Sequence, residues 1–227
     1  MPRVLTVPSA IVTDQTRRSY DLVADRYAEE LGDELRHKPL DRALLGAFAE
    51  LVRDGTVADV GCGPGQIAAY LAARGQRVVG MDLSTSMCEA VRRRTSLPAC
   101  AADMTALPVR DGALAGLVCL YATIHLDDDR RAAAHREFAR VLRPGGYVLL
   151  SFHVSDPDFP AGGVKTLATW WDRDVELSFR FLDPDAEIAA SRSAGLELVA
   201  RLDRGPHDGV EHPSERCSLL MRRATLT

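Results

Sequence analysis

The stretch Val57-Ala58-Asp59-Val60-Gly61-Cys62-Gly63-Pro64-Gly65 decides the fold of this chain. Its largely apolar first half predicts a short buried strand, and its glycines predict a sharp turn that leads into a helix. Glycine lets the backbone turn tightly and lets a ligand approach the main chain without a Cβ atom in between. A strand, a glycine-rich turn and a helix in this order indicate a ligand site; the alternative is a tight turn that binds nothing.

The spacing of the glycines separates two kinds of ligand. A dinucleotide-binding fingerprint needs glycine at its first, third and sixth positions, but the sixth position counted from Gly61 is Gln66. Asp59 stands two places before the first glycine, where a carboxylate would repel a pyrophosphate but suits a ligand with an ammonium group. We therefore expect the loop to bind a cationic cofactor that lacks phosphate.

Strand-like and helix-like segments alternate through most of the chain. The predicted strands cover residues 57–60, 77–81, 98–101, 114–120, 147–152, 196–202 and 216–222. The predicted helices cover residues 13–31, 39–53, 66–74, 85–94, 128–142 and 183–194. Nearly continuous apolar strands separated by helices predict a sheet covered on both faces. The fold class is therefore α/β, a Rossmann-like, doubly wound and mostly parallel seven-stranded sheet.

Two further carboxylates follow predicted strands. Asp82 ends the second strand, 21 residues after Gly61, where it could accept hydrogen bonds from both hydroxyls of a ribose. Alternatively, Asp82 is the N-cap of the next helix, a position that Ser84 could also fill. Asp103, followed by Met104, comes after the third strand and could instead be an ordinary loop residue.

Taken together, these motifs resemble those of class I S-adenosylmethionine-dependent methyltransferases, especially the ubiquinone/menaquinone-methyltransferase-like group, over roughly residues 18–153. The N-terminal pattern Tyr20-Asp21-x-x-Ala24-x-x-Tyr27 and the turn Val141-Leu142-Arg143-Pro144-Gly145-Gly146 are also similar to that group. The resemblance implies that S-adenosylmethionine is the cofactor and S-adenosylhomocysteine the product. The residues it implies for cofactor binding are Tyr20, Tyr27, Asp59, Gly61, Cys62, Gly63, Asp82, Leu83, Met87, Asp103, Met104 and Tyr121.

The resemblance also gives some of these residues roles. It implies that Asp103 accepts a hydrogen bond from the adenine amino group, while Met104 packs on the adenine ring. It implies that Tyr20 and Tyr27 cover the methionine end of the cofactor; the alternative is that both tyrosines only pack an amphipathic helix.

Methyl transfer is an in-line displacement, so the protein chiefly orients the reactants and, where needed, removes a proton. Candidate catalytic residues lie where the fourth and fifth strands end: Tyr121, His125 and His153. Histidine has a pKa suited to a general base near neutral pH, although both histidines could simply pack. We expect no metal, because the acidic run 127–129 opens a helix, where negative charge is favourable.

The composition and charge of the chain indicate which kinds of binding partner it has. With 227 residues and a net charge of -4, the chain has no overall positive field to hold nucleic acid. Its longest apolar stretch, Ala113 to Leu126, is too short for a membrane span. The N-terminus lacks the apolar core of a secretory signal, and the five cysteines form no C-x-x-C pair. We expect a cytoplasmic monomer or homodimer that acts on a small-molecule substrate, with no nucleic-acid or membrane partner.

The whole chain, residues 1–227, is predicted to be one methyltransferase domain. It divides into an N-terminal helical lid (13–54), a cofactor-binding core (55–153), an insertion (155–182) and a C-terminal helix with strands (183–227). The insertion is longer than the roughly 12–15 residues of an ordinary loop, contains a strand-like run at residues 175–182, and carries Trp170, Trp171, Phe179 and Phe181. We expect it to cover the substrate; the alternative is that its aromatic residues extend the core or form a dimer contact.

Two other functions stay open from the sequence. The chain could bind the cofactor as a sensor without catalysing transfer, because the motifs report binding and not turnover. It could also be a dinucleotide oxidoreductase, which Asp59 and Gln66 disfavour.

Overall fold

A seven-stranded sheet forms the centre of the molecule, which is a computed structural model that describes residues 9–225. Its strands are β1 (Thr56–Val60), β2 (Arg77–Asp82), β3 (Ala99–Ala101), β4 (Leu114–Leu120), β5 (Leu142–Ser155), β8 (Leu196–Arg204) and β9 (Glu215–Arg223). Their order is β3-β2-β1-β4-β5-β9-β8. The first five pair in parallel and β9 runs antiparallel between β5 and β8. The predicted Rossmann-like fold is confirmed.

Helices cover both faces of the sheet. They are α1 (Ser9–Leu31), α2 (Pro39–Leu51), α3 (Gln66–Ala72), α4 (Thr85–Thr95), α5 (Asp128–Val141) and α6 (Pro184–Ser193), with 3-10 turns at Glu34–His37 and Thr123–His125. Successive residues of β4 point to opposite faces: Val118 packs in the cluster of Phe48 from α2, whereas Leu117 packs in the cluster of Phe138 from α5. β4 is therefore buried on both sides, which explains its uninterrupted apolar sequence.

The insertion folds as a separate hairpin. Its strands are β6 (Val164–Trp170) and β7 (Arg173–Arg180), which pair antiparallel. Trp171 and Asp172 turn the chain with φ of +49° and +59°, as a two-residue hairpin turn requires. The sequence predicted one strand here, at 175–182, and missed β6, whose residues are mostly exposed or half-buried. The hairpin packs on α1 through Trp170, whose ring lies 6.2 Å from the ring of Tyr20.

The helix α1 includes Ser9, the first residue that the structure describes, so it extends beyond its predicted start at residue 13. Asp21 attaches this helix to the body of the protein. The Asp21 carboxylate accepts hydrogen bonds from Ser84 Oγ at 2.6 Å and from the Ser86 backbone N–H at 3.2 Å. These bonds attach the middle of α1 to the first turn of α4. Among the described residues, no helix combines the length and apolar character needed to cross a membrane.

Candidate active site

A cavity of about 430 Å³ opens at the carboxyl ends of β1, β2 and β4, beneath α1. The structure brings every residue predicted to bind the cofactor into the wall of this one cavity. These are Tyr20, Tyr27, Asp59, Gly61, Cys62, Gly63, Asp82, Leu83, Met87, Asp103, Met104 and Tyr121. The parallel arrangement explains the convergence, because the carboxyl ends of parallel strands meet at one edge of the sheet.

The glycine loop needs its glycines for two different reasons. At Gly61, with φ of +70°, a Cβ atom would lie 2.2 Å from the Cβ of Ala122, so a side chain would clash with the segment after β4. At Gly63, with φ of +50°, a Cβ atom would have only a ring carbon of Tyr27 within 4 Å, at 3.8 Å. Gly63 therefore leaves open space beside the cavity wall, which fits a ligand that approaches the backbone closely.

Asp59 is buried at the end of β1 and has a structural partner. Its Oδ2 accepts a hydrogen bond from the backbone N–H of Ala68 at 3.0 Å, which satisfies an otherwise unpaired donor in the first turn of α3. Burial, together with a smaller effect of the negative charge of Asp82, raises the pKa of Asp59 to about 7 against the lowering effect of the Ala68 hydrogen bond. A cationic ligand beside Asp59 would favour its ionised form.

Asp82 holds the glycine loop against β2. Its two oxygens accept hydrogen bonds from the backbone N–H groups of Gly63 and Ser84, both at 2.9 Å. Ser84, and not Asp82, is the N-cap of α4, because Ser84 Oγ accepts from the backbone N–H of Met87. Burial raises the pKa of Asp82 to about 6, against the lowering effect of the two backbone donors.

Asp103, which also lines the cavity, is an ionised carboxylate. Burial raises its pKa, but hydrogen bonds from Thr105 and the charge of Arg130 outweigh burial and hold the pKa below its ordinary value. Arg130 Nη2 lies 2.7 Å from Asp103 Oδ2. Since a carboxylate has about four acceptor positions, Asp103 can accept a further ligand N–H. Asp127, the first of the acidic run, caps α5 by accepting from the backbone N–H of Arg130 at 2.9 Å.

His125 is held in one tautomer beside the lid. Its Nδ1 lies 2.8 Å from the carbonyl oxygen of Ser178, which can only accept, so Nδ1 carries the proton. Nε2 therefore has a free electron pair and accepts a hydrogen bond from the hydroxyl of Tyr20 at 2.8 Å. Burial lowers the pKa of His125 to about 4, against the effect of the Ser178 bond. The imidazole is neutral at pH 7, as a general base must be.

Tyr121 reaches the cavity through an unusual backbone conformation. Its φ is +58°, which is costly for a residue with a side chain and occurs most often at functional sites. Its hydroxyl lies 3.5 Å from Asp41 Oδ1 and 3.4 Å from Arg204 Nη2. Arg204 also pairs with Asp41 at 2.7 Å. The sequence did not single out Asp41 or Arg204, because they are 163 positions apart and only the fold joins them.

The structure does not bring His153 into the cavity. Its ring lies behind Tyr121, with ring centroids 5.0 Å apart, and its Nδ1 bonds to Ser214 Oγ at 2.8 Å. His153 is not among the residues that line the cavity, and its catalytic role stays a prediction. Two residues that the sequence did not assign, Lys38 and Arg180, line the cavity instead.

The aromatic residues of the insertion also lie outside the wall. Trp170 and Trp171 stack on each other with centroids 4.5 Å apart and contact the ring of Tyr27, which itself lines the cavity. They contact the wall residues Tyr20 and Tyr27 from outside the cavity, and the substrate cover expected of the insertion stays a prediction. Within residues 9–225, no group of three or more potential ligands could hold a metal ion.

Comparisons with known proteins show which sequences and folds this chain is similar to. Residues 57–146 match a family model described as a methyltransferase domain. The demethylmenaquinone methyltransferase of Beutenbergia cavernae is 34% identical over 149 residues, 65% of this chain and 58% of that protein. The tRNA (carboxymethyluridine(34)-5-O)-methyltransferase alkbh8 of Xenopus tropicalis is 31% identical over 162 residues, 70% of this chain but only 24% of that protein. This chain thus spans less than two thirds of the length of each of these two relatives.

A solved structure shares the fold over nearly the whole chain. The 1,6-didemethyltoxoflavin-N1-methyltransferase of Burkholderia thailandensis aligns with a TM-score of 0.70, covering 99% of this chain and 93% of that one. The identity is 20%, so this likeness concerns the fold alone.

Proposed function

We propose that this chain, which belongs to the class I S-adenosylmethionine-dependent methyltransferases, transfers a methyl group to an oxygen, nitrogen or carbon atom of a small molecule. One observation carries the proposal. A single cavity joins the glycine loop, the buried carboxylates Asp59 and Asp82, and a neutral histidine whose Nε2 can accept a proton.

The residues of the cavity fit S-adenosylmethionine. When bound, this cofactor supplies an activated methyl group on a cationic sulfur. Gly63 leaves room for close approach, Asp82 offers carboxylate oxygens to ribose hydroxyls, and Asp59 offers negative charge to the ammonium end. Asp103 and Met104 also line the cavity, where Asp103 would accept a hydrogen bond from the adenine amino group and Met104 would pack on the adenine ring. Gln66 replaces the third glycine of the dinucleotide fingerprint, and Asp59 would repel a pyrophosphate, so both residues speak against a dinucleotide.

His125 is the best candidate for a general base. Its Nδ1–H is fixed by Ser178, so Nε2 is the atom that takes a proton. The hydroxyl of Tyr20 occupies Nε2 in this structure at 2.8 Å and would have to yield it to an acceptor. Tyr20 and Tyr121 line the same cavity as His125.

The proposed acceptor is small. A volume of about 430 Å³ is near the lower end of the roughly 300–1,000 Å³ usual for small-molecule sites, and the cofactor must share it. The frog relative acts on tRNA, but the net charge of -4 here gives no field for a phosphate backbone. We propose a cytoplasmic enzyme without a nucleic-acid partner, which its five free cysteines support.

Mass spectrometry of ligand retained on the purified protein tests the proposal. Adenosylhomocysteine or S-adenosylmethionine is the expected ligand, whereas a nicotinamide dinucleotide would overturn it. A screen of small acceptors for adenosylhomocysteine release then separates an enzyme from a sensor. A sensor would retain the cofactor and release no product with any acceptor or with tRNA.

A further inference from the structure

Arg180 brings a positive charge to the cavity without a protein group to neutralise it. It is the last residue of β7 and lines the cavity. Its Nε is shut off from solvent and has no hydrogen-bond partner, and within residues 13–225 its guanidinium forms no ion pair. A buried donor without an acceptor is unfavourable, so a ligand oxygen is the group that would complete it.

The other cations of the described wall already have carboxylate partners. Lys38 Nζ lies 2.7 Å from Glu34 and 3.3 Å from Glu211. Arg130 lies 2.7 Å from Asp103. Arg180 is therefore the cation of this wall that is available for a ligand.

Packing on both sides holds Arg180 in place. The neighbouring rings do not line the cavity and pack elsewhere: Phe179 lies against the ring of His125 at 4.9 Å, and Phe181 stacks on Phe159 at 5.8 Å. The backbone of Arg180 pairs with Val164 across the hairpin. A side chain anchored in this way loses little freedom when it binds a ligand.

Arg180 also stands close in the chain to the group that fixes His125. The carbonyl of Ser178, which holds His125 Nδ1, is two residues before Arg180 on β7. Arg180 and His125 line the same cavity, so a ligand bound to Arg180 can extend toward His125.

We propose that Arg180 binds a carboxylate of the methyl acceptor, so that the protein selects small acceptors with one negative charge. The inference rests on the methyl transfer proposed above and adds the chemical class of the substrate. Nε–H and one Nη–H of a guanidinium form a planar fork that matches two carboxylate oxygens. One unpaired positive charge balances one negative charge, and a second negative charge would find Lys38 and Arg130 of the described wall already paired with carboxylates.

Matched pairs of probes test this inference. Protein saturated with adenosylhomocysteine is titrated by calorimetry with hydroxybenzoates and aminobenzoates, and with the primary amide of each. The variant Arg180→Met removes the charge and keeps a long side chain. Arg173→Met is the control, because Arg173 lies on the same strand but is exposed and outside the cavity.

We expect the wild type to bind at least one carboxylate tenfold or more tightly than its amide, and Arg180→Met to reduce that preference to less than twofold. Arg173→Met should keep the preference, and both variants should bind adenosylhomocysteine like the wild type. If no carboxylate is preferred by the wild type, or if Arg180→Met retains the preference, the inference is wrong. If adenosylhomocysteine itself does not bind the wild type, the proposed function fails as well, and this first titration separates the two failures.

Discussion

At the scale of single residues, the site depends on side chains and glycines whose neighbours fix what they can do. Gly61 and Gly63 have similar backbone angles, yet only Gly63 faces open cavity space. His125 and His153 both follow predicted strands, yet of the two only His125 lines the cavity. The sequence pattern gives the same signal for both members of each pair, and the surroundings decide between them.

Gly63→Val tests whether the loop serves a ligand or only turns the chain. A branched side chain at φ of +50° is strained, which costs about 1–3 kcal/mol of unfolding free energy, and it also fills ligand space. Gly75→Val is the matched control, because Gly75 has φ of +84° and no atom within 4 Å of its Cβ position. Both variants should lose similar stability in denaturant titrations, while only Gly63→Val should lose adenosylhomocysteine binding. Equal binding by both would make the loop a turn alone.

His125→Gln tests the general base. We expect kcat to fall roughly 100-fold or more, the lower range for loss of a positioned base. Because the base acts deprotonated and its pKa is about 4, wild-type kcat should rise with pH through about 4 and show no step near 6.5. His37→Gln, an exposed histidine outside the cavity, should leave kcat unchanged. A His125 variant with wild-type kcat would remove His125 from the chemistry.

At the scale of elements, the helix α1 closes the cavity and is attached to both α4 and the hairpin. Asp21 joins it to the first turn of α4, and Trp170 of the hairpin packs against Tyr20 and Tyr27 on its inner face. The pattern Tyr20-Asp21-x-x-Ala24-x-x-Tyr27 thus combines cavity residues with an anchor and a buried alanine.

Asp21→Ala should loosen α1 and so weaken ligand binding from a distance. We expect a loss of about 1–3 kcal/mol in stability, because the buried hydroxyl of Ser84 and the half-buried N–H of Ser86 lose their acceptor, and a several-fold weaker affinity for adenosylhomocysteine. Asp25→Ala is the control on the next turn, where the carboxylate is 84% exposed and pairs only with Arg93. Calorimetry and limited proteolysis of both variants measure the effect. Equal behaviour of the two variants would show that α1 does not depend on Asp21.

The strands of the central sheet were predictable from sequence because buried parallel strands read as apolar runs with glycine or proline at their ends. The hairpin was only half predictable: β6 has mostly exposed or half-buried residues, so its strand signal is weak. The buried group of Lys38, Asp41, Arg204 and Glu211 gives no local signal at all, since each residue alone looks like a surface charge.

At the scale of the whole molecule, burial in the cavity raises the pKa values of two carboxyl groups. The pKa values of Asp59 and Asp82 are raised from 3.8 to about 7 and about 6. Raised values mean that their contribution to stability is complete below about pH 4 and is lost as pH rises through 6 and 7. A ligand with an ammonium group and ribose hydroxyls favours the ionised forms, so ligand binding and proton release are coupled.

Proton release on binding follows from these two carboxyls. At pH 6, adenosylhomocysteine binding should release protons, seen as a binding enthalpy that depends on the ionisation enthalpy of the buffer. At pH 8 both groups are already ionised, and the dependence should be much smaller. No release at pH 6, or net uptake, would show that these carboxyls do not face the cationic part of the ligand.

The central claim is that the cavity binds the cofactor through the carboxylate that ends β2. Calorimetric titration of adenosylhomocysteine into wild type and Asp82→Ala tests it most directly, with Asp111→Ala, an exposed carboxylate outside the cavity, as the control. Charge-assisted hydrogen bonds contribute about 1.5–3 kcal/mol each, so we expect Asp82→Ala to bind roughly 10- to 100-fold more weakly and the control to bind like wild type. An Asp82→Ala protein that folds normally and binds within twofold of wild type would contradict the claim.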